Sequence, residues 1–304
     1  MKVAIVGAGA MGSLFGALLA DAGYDVWLLS TWREHLTTIV NKGLKITHKD
    51  HTRTIHLKTA SRPEEIGLAD VTLVFVKSYH TEIVAGTAAA LAGAKGVVVT
   101  LQNGLGNAEK LSACIDSNRI IAGTTSHGAT VLGPGHIHHA GVGATVIGNW
   151  DSDNTYMVEE ISVAFCQAGI ETQAVMNVRP VIWEKLLINV GINAITALTG
   201  IRNGQLLDMT ITRELSRKAV EEAMTIARAK GINLRTDMVE FVFKVAKATA
   251  ANRSSMGQDV DHGRMTEISA INGAIVSVGK RISLPTPINE TLVALVETLQ
   301  GHYT

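Results

Sequence analysis

The sequence predicts an α/β protein. Its first half forms a parallel sheet with an added antiparallel hairpin, and its second half is all-helical. Three observations carry this. Short, continuous β-branched runs alternate with helical stretches up to Gly123. A glycine-rich turn joins the first such run to the first helix. Beyond about Val178 the strand signals largely stop and long helical patterns take over.

In chain order, Val3 to Val6, Val26 to Leu29, Val71 to Val76, Val97 to Thr100 and Ile120 to Gly123 read as strands. Their unbroken apolar character fits a parallel sheet covered on both faces, and the helical stretches between them make βαβ crossovers. Leu44 to Ile46 and Thr54 to Leu57 are shorter and interleaved with charge, and read as edge strands. Thr130 to His139 places Gly133-Pro-Gly between alternating runs, an antiparallel hairpin signal that continues through Ala144 to Ile147. A helix from about Tyr156 to Ala168 follows, and Glu171 to Ala174 is the last candidate strand. Helical patterns then run near 179–199, 212–230, 236–251, 266–279 and 287–300, with Pro285 and Pro287 before the last. The boundary falls near 176–180, giving one domain over 1–177 and a second over 178–304.

A chain of 304 residues suits two domains and buries a core without staples. Its 27 basic and 27 acidic residues cancel, whereas a duplex nucleic-acid binder needs a basic footprint. Cys114 and Cys166 match no metal or redox motif and read as reduced core thiols, with one disulfide between them as the alternative. No uninterrupted apolar run reaches the length of about 18 residues that a membrane span needs. The N-terminus opens directly on an apolar strand, without a signal-peptide pattern. The expectation is a cytoplasmic protein with neither nucleic-acid nor membrane partners.

The strongest local motif is Gly7-Ala8-Gly9-Ala10-Met11-Gly12, which follows a strand and opens an apolar helix. In that setting Gly7 permits the tight turn, Gly9 admits a pyrophosphate and Gly12 allows close helix–strand packing. The helix N-terminus adds amide donors and partial positive charge. This makes the first domain Rossmann-type; the alternative is a tight βα turn with no ligand. At the end of the second strand, Leu29-Ser30-Thr31-Trp32-Arg33 offers no acid for a ribose 2′-hydroxyl. Ser30 and Arg33 suit a 2′-phosphate, so NADPH/NADP⁺ is expected rather than NADH. Arg33 as a solvated helix-start residue is the plainer alternative.

The run from Val181 to Leu198 is too apolar for a surface helix, yet Lys185, Asn189, Asn193 and Thr196 fall on one helical face. Such a stripe can line a cleft, and desolvation there lowers a lysine pKa toward neutrality. The alternative is a lysine reaching solvent and asparagines bonding loop carbonyls. A second polar cluster, Asn252 to Asp259 with Arg264 to Glu267, reads on its own as structural. Ser254 and Ser255 would be caps and Glu267 a first-turn acid. Alternation puts His136 and His138 on one face of the hairpin, but no carboxylate or cysteine completes a metal set.

Together these residues resemble the ketopantoate reductase (2-dehydropantoate 2-reductase) family over essentially the whole chain. The resemblance rests on Gly7-x-Gly-x-x-Gly12, Lys77, Gln102-Asn-Gly104, Gly133-Pro-Gly and His139-Ala-Gly-Val-Gly. Trp183-x-Lys185-Leu-x-x-x-Asn189, Asn193, Asn203-Gly204, Ser254-Ser-Met-x-Gln-Asp259 and Gly263-Arg-x-Thr-Glu267 complete it. It implies NADPH-dependent reduction of 2-dehydropantoate to pantoate, in pantothenate and coenzyme A biosynthesis. It makes Lys185 the proton donor, and Asn103 a contact of both nicotinamide and substrate. Asn189, Asn193, Asn203 and Ser255 would hold substrate, while Lys77, Ala129 and Glu267 would touch cofactor. The family fold sets the site in a cleft between the two domains, and homodimers occur in it. Two alternatives remain: a sister reductase of another branched 2-oxo acid, and a non-catalytic NADPH sensor.

Overall fold

The computed structural model describes residues 1–152 and 156–303. The chain divides into two compact units: Met1–Gln102 with Asn107–Val178, and Asn103–Gly106 with Arg179–Thr304.

In the first unit, β1 (Lys2–Val6), β2 (Asp25–Leu29), β5 (Lys58–Ala60), β6 (Val71–Val74), β7 (Val97–Thr100), β8 (Ile120–Thr125), β11 (Thr145–Asn149) and β12 (Thr172–Ala174) form one sheet. Its order is β12-β11-β8-β7-β6-β1-β2-β5. Every neighbouring pair is parallel except β8 with β11. The strands buried on both faces are the β-branched runs, as a covered parallel sheet requires. β1 lies between β2 and β6, so the strand order reverses beside it, and the carboxyl ends of strands at such a reversal form a ligand crevice. Helix α1 (Ala10–Asp21) covers this sheet with Leu14, Phe15 and Leu19, all fully buried with Ile5, Leu28 and Leu73.

The charged short strands lie elsewhere than expected. β3 (Leu44–His48) and β4 (His51–Ile55) are not edges of the large sheet. They join the hairpin β9 (Gly128–Gly133) and β10 (His136–Gly141) in a separate four-stranded sheet, β4-β3-β10-β9. β3 pairs locally with β4, but its other partner is β10, a pairing between residues far apart in sequence that no local pattern reveals. The large sheet's edges are instead β5 and β12. Nor does the hairpin continue into β11, which returns to the large sheet against β8.

In the second unit, α6 (Arg179–Thr199) is the central helix, packed against α7 (Thr210–Ala229), α8 (Met238–Ala248), α9 (Ser255–Asp261) and α11 (Pro287–Gln300). Leu187, Val190 and Ile195 on α6 share a core with Ala219, Val220 and Ala223 on α7 and Val242 on α8. The helix expected near 266–279 forms later, as α10 (Asn272–Arg281), after a short 3₁₀ turn at Ile268–Ala270. Glu222 of α7 accepts hydrogen bonds from the Ile288 and Asn289 amides, satisfying first-turn donors of α11. Among the described residues α6 is the one helix long and apolar enough to cross a membrane, and most of it is buried within the protein. It is the core helix of this unit.

Candidate active site

The glycine turn is built by close contact. A Cβ on Gly12 would stand 1.9 Å from the Gly7 carbonyl oxygen, so helix α1 can leave the strand here only without a side chain. Gly7 adopts φ +105°, and a Cβ on it would meet the Val76 nitrogen at 2.8 Å. That contact brings the turn beside Lys77, which follows β6. Gly9 differs: nothing lies within 4 Å of where its Cβ would be. The Ser13 amide is bonded to the Gly9 carbonyl, so the amides of Ala10, Met11 and Gly12 precede the first intrahelical bond of α1. Open space above Gly9 with donors converging on it fits a pyrophosphate.

At the end of β2, Ser30 Oγ accepts from the Trp32 amide, shaping the turn into α2 (Arg33–Lys42). Arg33 is exposed at the start of α2. No acid intervenes between Leu29 and Arg33.

Gln102, to which the sequence reading gave no role of its own, ties three loops together. Its Nε2 donates to the Val76 carbonyl and to Thr81 Oγ1, its Oε1 accepts from Thr100 Oγ1, and Thr81 Oγ1 in turn donates to Asn107 Oδ1. The backbone before Lys77 is thereby anchored to the end of β7. Ala129 lies on β9 opposite His139, and β9 packs against α1. His139 Nε2 is 3.0 Å from His127 Nδ1, while His127 Nε2 is buried with no hydrogen-bond partner. Burial lowers the pKa of both rings, His139 to about 4. His136 bonds Thr47 instead of joining them. The cysteines correct an expectation: both are free thiols, but both are exposed rather than in the core.

In the second unit, Lys185, Asn189, Asn193 and Thr196 lie on one face of α6. Asn193 and Thr196 are buried; Lys185 and Asn189 are partly so. Desolvation lowers the Lys185 pKa to about 8, opposed by the charge of Glu267. Glu267 is itself buried, at the start of the Ile268–Ala270 turn and not on a solvated helix end. Thr196 Oγ1 is 2.7 Å from Ser254 Oγ, which also accepts from the Gly257 amide as the N-cap of α9. Arg253 donates to the Thr196 and Ile201 carbonyls and pairs with Asp261. These contacts hold the Ser254–Ser255 segment at the far end of the stripe, with Ser255 exposed.

Asn203 is buried, donates to Thr249 Oγ1, and leaves its Oδ1 without a partner. Asn103 belongs with this unit because the loop after it clamps onto the Glu267–Ala270 turn. The Leu105 amide bonds the Ala270 carbonyl, and Gly104, at φ +85°, comes so close that a Cβ would stand 2.4 Å from the same oxygen. The second unit therefore brings together Lys185 with Glu267, and Thr196 with Ser254. Arg33 and Ala129 sit on separate elements of the first unit.

Two family models, ketopantoate reductase PanE/ApbA and its C-terminal counterpart, match residues 3–152 and 177–300. The chain belongs to the ketopantoate reductase family. A 2-dehydropantoate 2-reductase of Halobacterium salinarum is 38% identical, with 99% of each chain covered. A PanE/ApbA family ketopantoate reductase from Ralstonia eutropha superposes with TM-score 0.92 at 31% identity, over 100% of this chain and 99% of that one. D-mandelate dehydrogenase with NADH and anilino(oxo)acetate gives TM-score 0.92 at 25% identity and the same coverage.

Proposed function

We propose that the protein reduces 2-dehydropantoate to pantoate with NADPH. The observation that carries this is Lys185. It is a lysine brought to a pKa of about 8 on a face shared with Asn189 and Asn193, in a family of ketopantoate reductases. NADPH, when bound, supplies the hydride. In the first unit, the amides at the start of α1 would hold the pyrophosphate and Arg33 with Ser30 the 2′-phosphate, with Lys77 and Ala129 as further contacts. The space above Gly9, which any side chain would fill, is what supports the fit.

The second unit supplies the proton. As the carbonyl carbon is reduced, negative charge develops on its oxygen, and the Lys185 ammonium both stabilises that charge and delivers its proton there. Near neutral pH a donor of pKa about 8 is mostly charged and gives up its proton more readily than a solvated lysine. Asn189, Asn193, Asn203 and Ser255 would bind the substrate's carboxylate and hydroxyl groups. The unpaired Oδ1 of Asn203 is an acceptor suited to a hydroxyl. Asn103 and Glu267 would contact the cofactor, Asn103 the substrate as well.

The likeness to D-mandelate dehydrogenase keeps a second reading: reduction of another 2-oxo acid branched next to the carbonyl. Turnover of NADPH with 2-dehydropantoate, against a panel of other 2-oxo acids, decides between them. The first reading predicts the highest kcat/KM for 2-dehydropantoate, and a tenfold or greater preference for another acid contradicts it. No turnover with any 2-oxo acid, despite NADPH binding, would leave a cofactor-sensing protein.

A further inference from the structure

His35 takes no part in the chemistry above, yet its ring is completely buried and makes three separate contacts within the first unit. Its Nδ1 accepts from the Gly135 amide at 3.0 Å, and its Nε2 is 3.0 Å from Ser13 Oγ. The Trp32 ring stacks on it at 4.4 Å and 15°. Because Nδ1 must be the acceptor for an amide, the proton sits on Nε2, which therefore donates to Ser13 Oγ. Ser13 Oγ then donates to the Ala8 carbonyl, inside the glycine turn. The donors run in one direction, from Gly135 through His35 and Ser13 to Ala8, and each group on the path is used.

What this ring joins is informative. Ser13 and Ala8 belong to the turn and helix start that face the pyrophosphate. Trp32 immediately precedes Arg33. Gly135 is the tip of the β9–β10 hairpin, which carries Ala129, and it packs so closely on α2 that a Cβ would stand 2.5 Å from Thr38 Cγ2. Three elements assigned to different parts of one dinucleotide are thus referenced to a single side chain. A hydrophobic residue could fill the volume and pack on Trp32, but it could not fix the glycine turn and the hairpin tip through hydrogen bonds.

We propose that His35 is a positioning residue for cofactor binding, a neutral imidazole that sets the glycine turn, the Trp32–Arg33 segment and the hairpin tip in register for NADPH. This rests on the NADPH reading above. The role is preorganisation: a turn already held in place loses less freedom when the phosphates arrive.

The test is NADPH affinity by fluorescence titration of the purified full-length protein, for the wild type, His35→Ala, His35→Gln and Ser13→Ala. Losing directed bonds that hold the turn should weaken binding about fivefold or more in His35→Ala. His35→Gln keeps a donor for Ser13 and should recover a large part of that loss. In turnover the effect should fall on the KM for NADPH more than on kcat. A purely structural role would instead lower the folded fraction and leave the affinity of the remainder unchanged. Should His35→Ala fail to fold, Ser13→Ala decides, since it cuts the arm to Ala8 alone. Affinities within twofold of wild type in the folded variants overturn the proposal. Absence of NADPH binding by the wild type would overturn the cofactor reading itself, and this inference with it.

Discussion

A Cβ on Gly12 would stand 1.9 Å from the Gly7 carbonyl oxygen, so no side chain fits between the two residues, whereas Gly9, between them in sequence, faces open space. The two kinds of glycine should respond differently to alanine. Gly9→Ala meets nothing in the protein, so it should fold with wild-type stability and lose NADPH affinity by at least about tenfold, because the methyl occupies the phosphate space. Gly12→Ala should destabilise the protein even without ligand. Thermal unfolding alongside NADPH titration reads both; unchanged affinity in Gly9→Ala would remove the pyrophosphate from this turn.

Arg33 is exposed at the start of α2, and no acid lies between Leu29 and it. Arg33→Ala should raise the KM for NADPH and leave that for NADH nearly unchanged. The loss of one charge-assisted phosphate contact is about 1.5–3 kcal/mol, or roughly 10- to 150-fold. A wild-type protein that uses both cofactors equally well would contradict the assignment.

The glycine turn and the α6 stripe were legible because both are local. One is a run between a strand and a helix; the other is a spacing on a single helix. Where the sequence reading failed, the structure depends on distant partners. The pairing of Lys45 with His136 puts β3 in a second sheet, and nothing in either segment names the other. His35 carries no signal in the sequence because its partners, Ser13 and Gly135, lie on other elements. Glu267 read as a first-turn acid because its burial comes from how the second unit packs. The cysteines read as core residues from composition, although both positions face solvent.

Acid should destabilise the fold through its buried histidines. Burial lowers His35 and His139 from 6.5 to about 4, with the neighbouring His127 adding to the effect at His139. Between those values the unfolded chain binds more protons than the folded one. Stability is therefore complete above about pH 6.5 and is lost as pH falls toward 4, each ring contributing a slope of up to about 1.4 kcal/mol per pH unit. Urea unfolding across this range checks it, with His139→Gln giving a shallower slope. A flat profile would mean that these rings are protonated in the folded protein.

Lys185 should carry a stability cost for its function. Its folded pKa of about 8 lies below the ordinary 10.5, so below about pH 8 the folded protein bears the full penalty of a desolvated ammonium. Lys185→Met, similar in length and uncharged, should raise stability at neutral pH by up to about 3 kcal/mol while lowering kcat by roughly 10²–10⁴-fold. Denaturant unfolding that shows no gain, or a loss, would mean the ammonium is better compensated than its surroundings indicate.

The proton-donor role of Lys185 is tested most directly by the pH dependence of kcat for 2-dehydropantoate reduction, in the wild type and in Lys185→Ala. With the ammonium as donor, wild-type kcat should stay level through neutral pH and fall about tenfold per pH unit above its pKa. The midpoint should lie near 8, shifted if bound substrate changes the charge around Nζ. Lys185→Ala should be slower by roughly 10²–10⁴-fold, should lack that alkaline limb, and should bind NADPH about as well as the wild type. A folded Lys185→Ala variant that keeps near-full turnover, or one that retains the same alkaline limb, would show that the proton comes from another group.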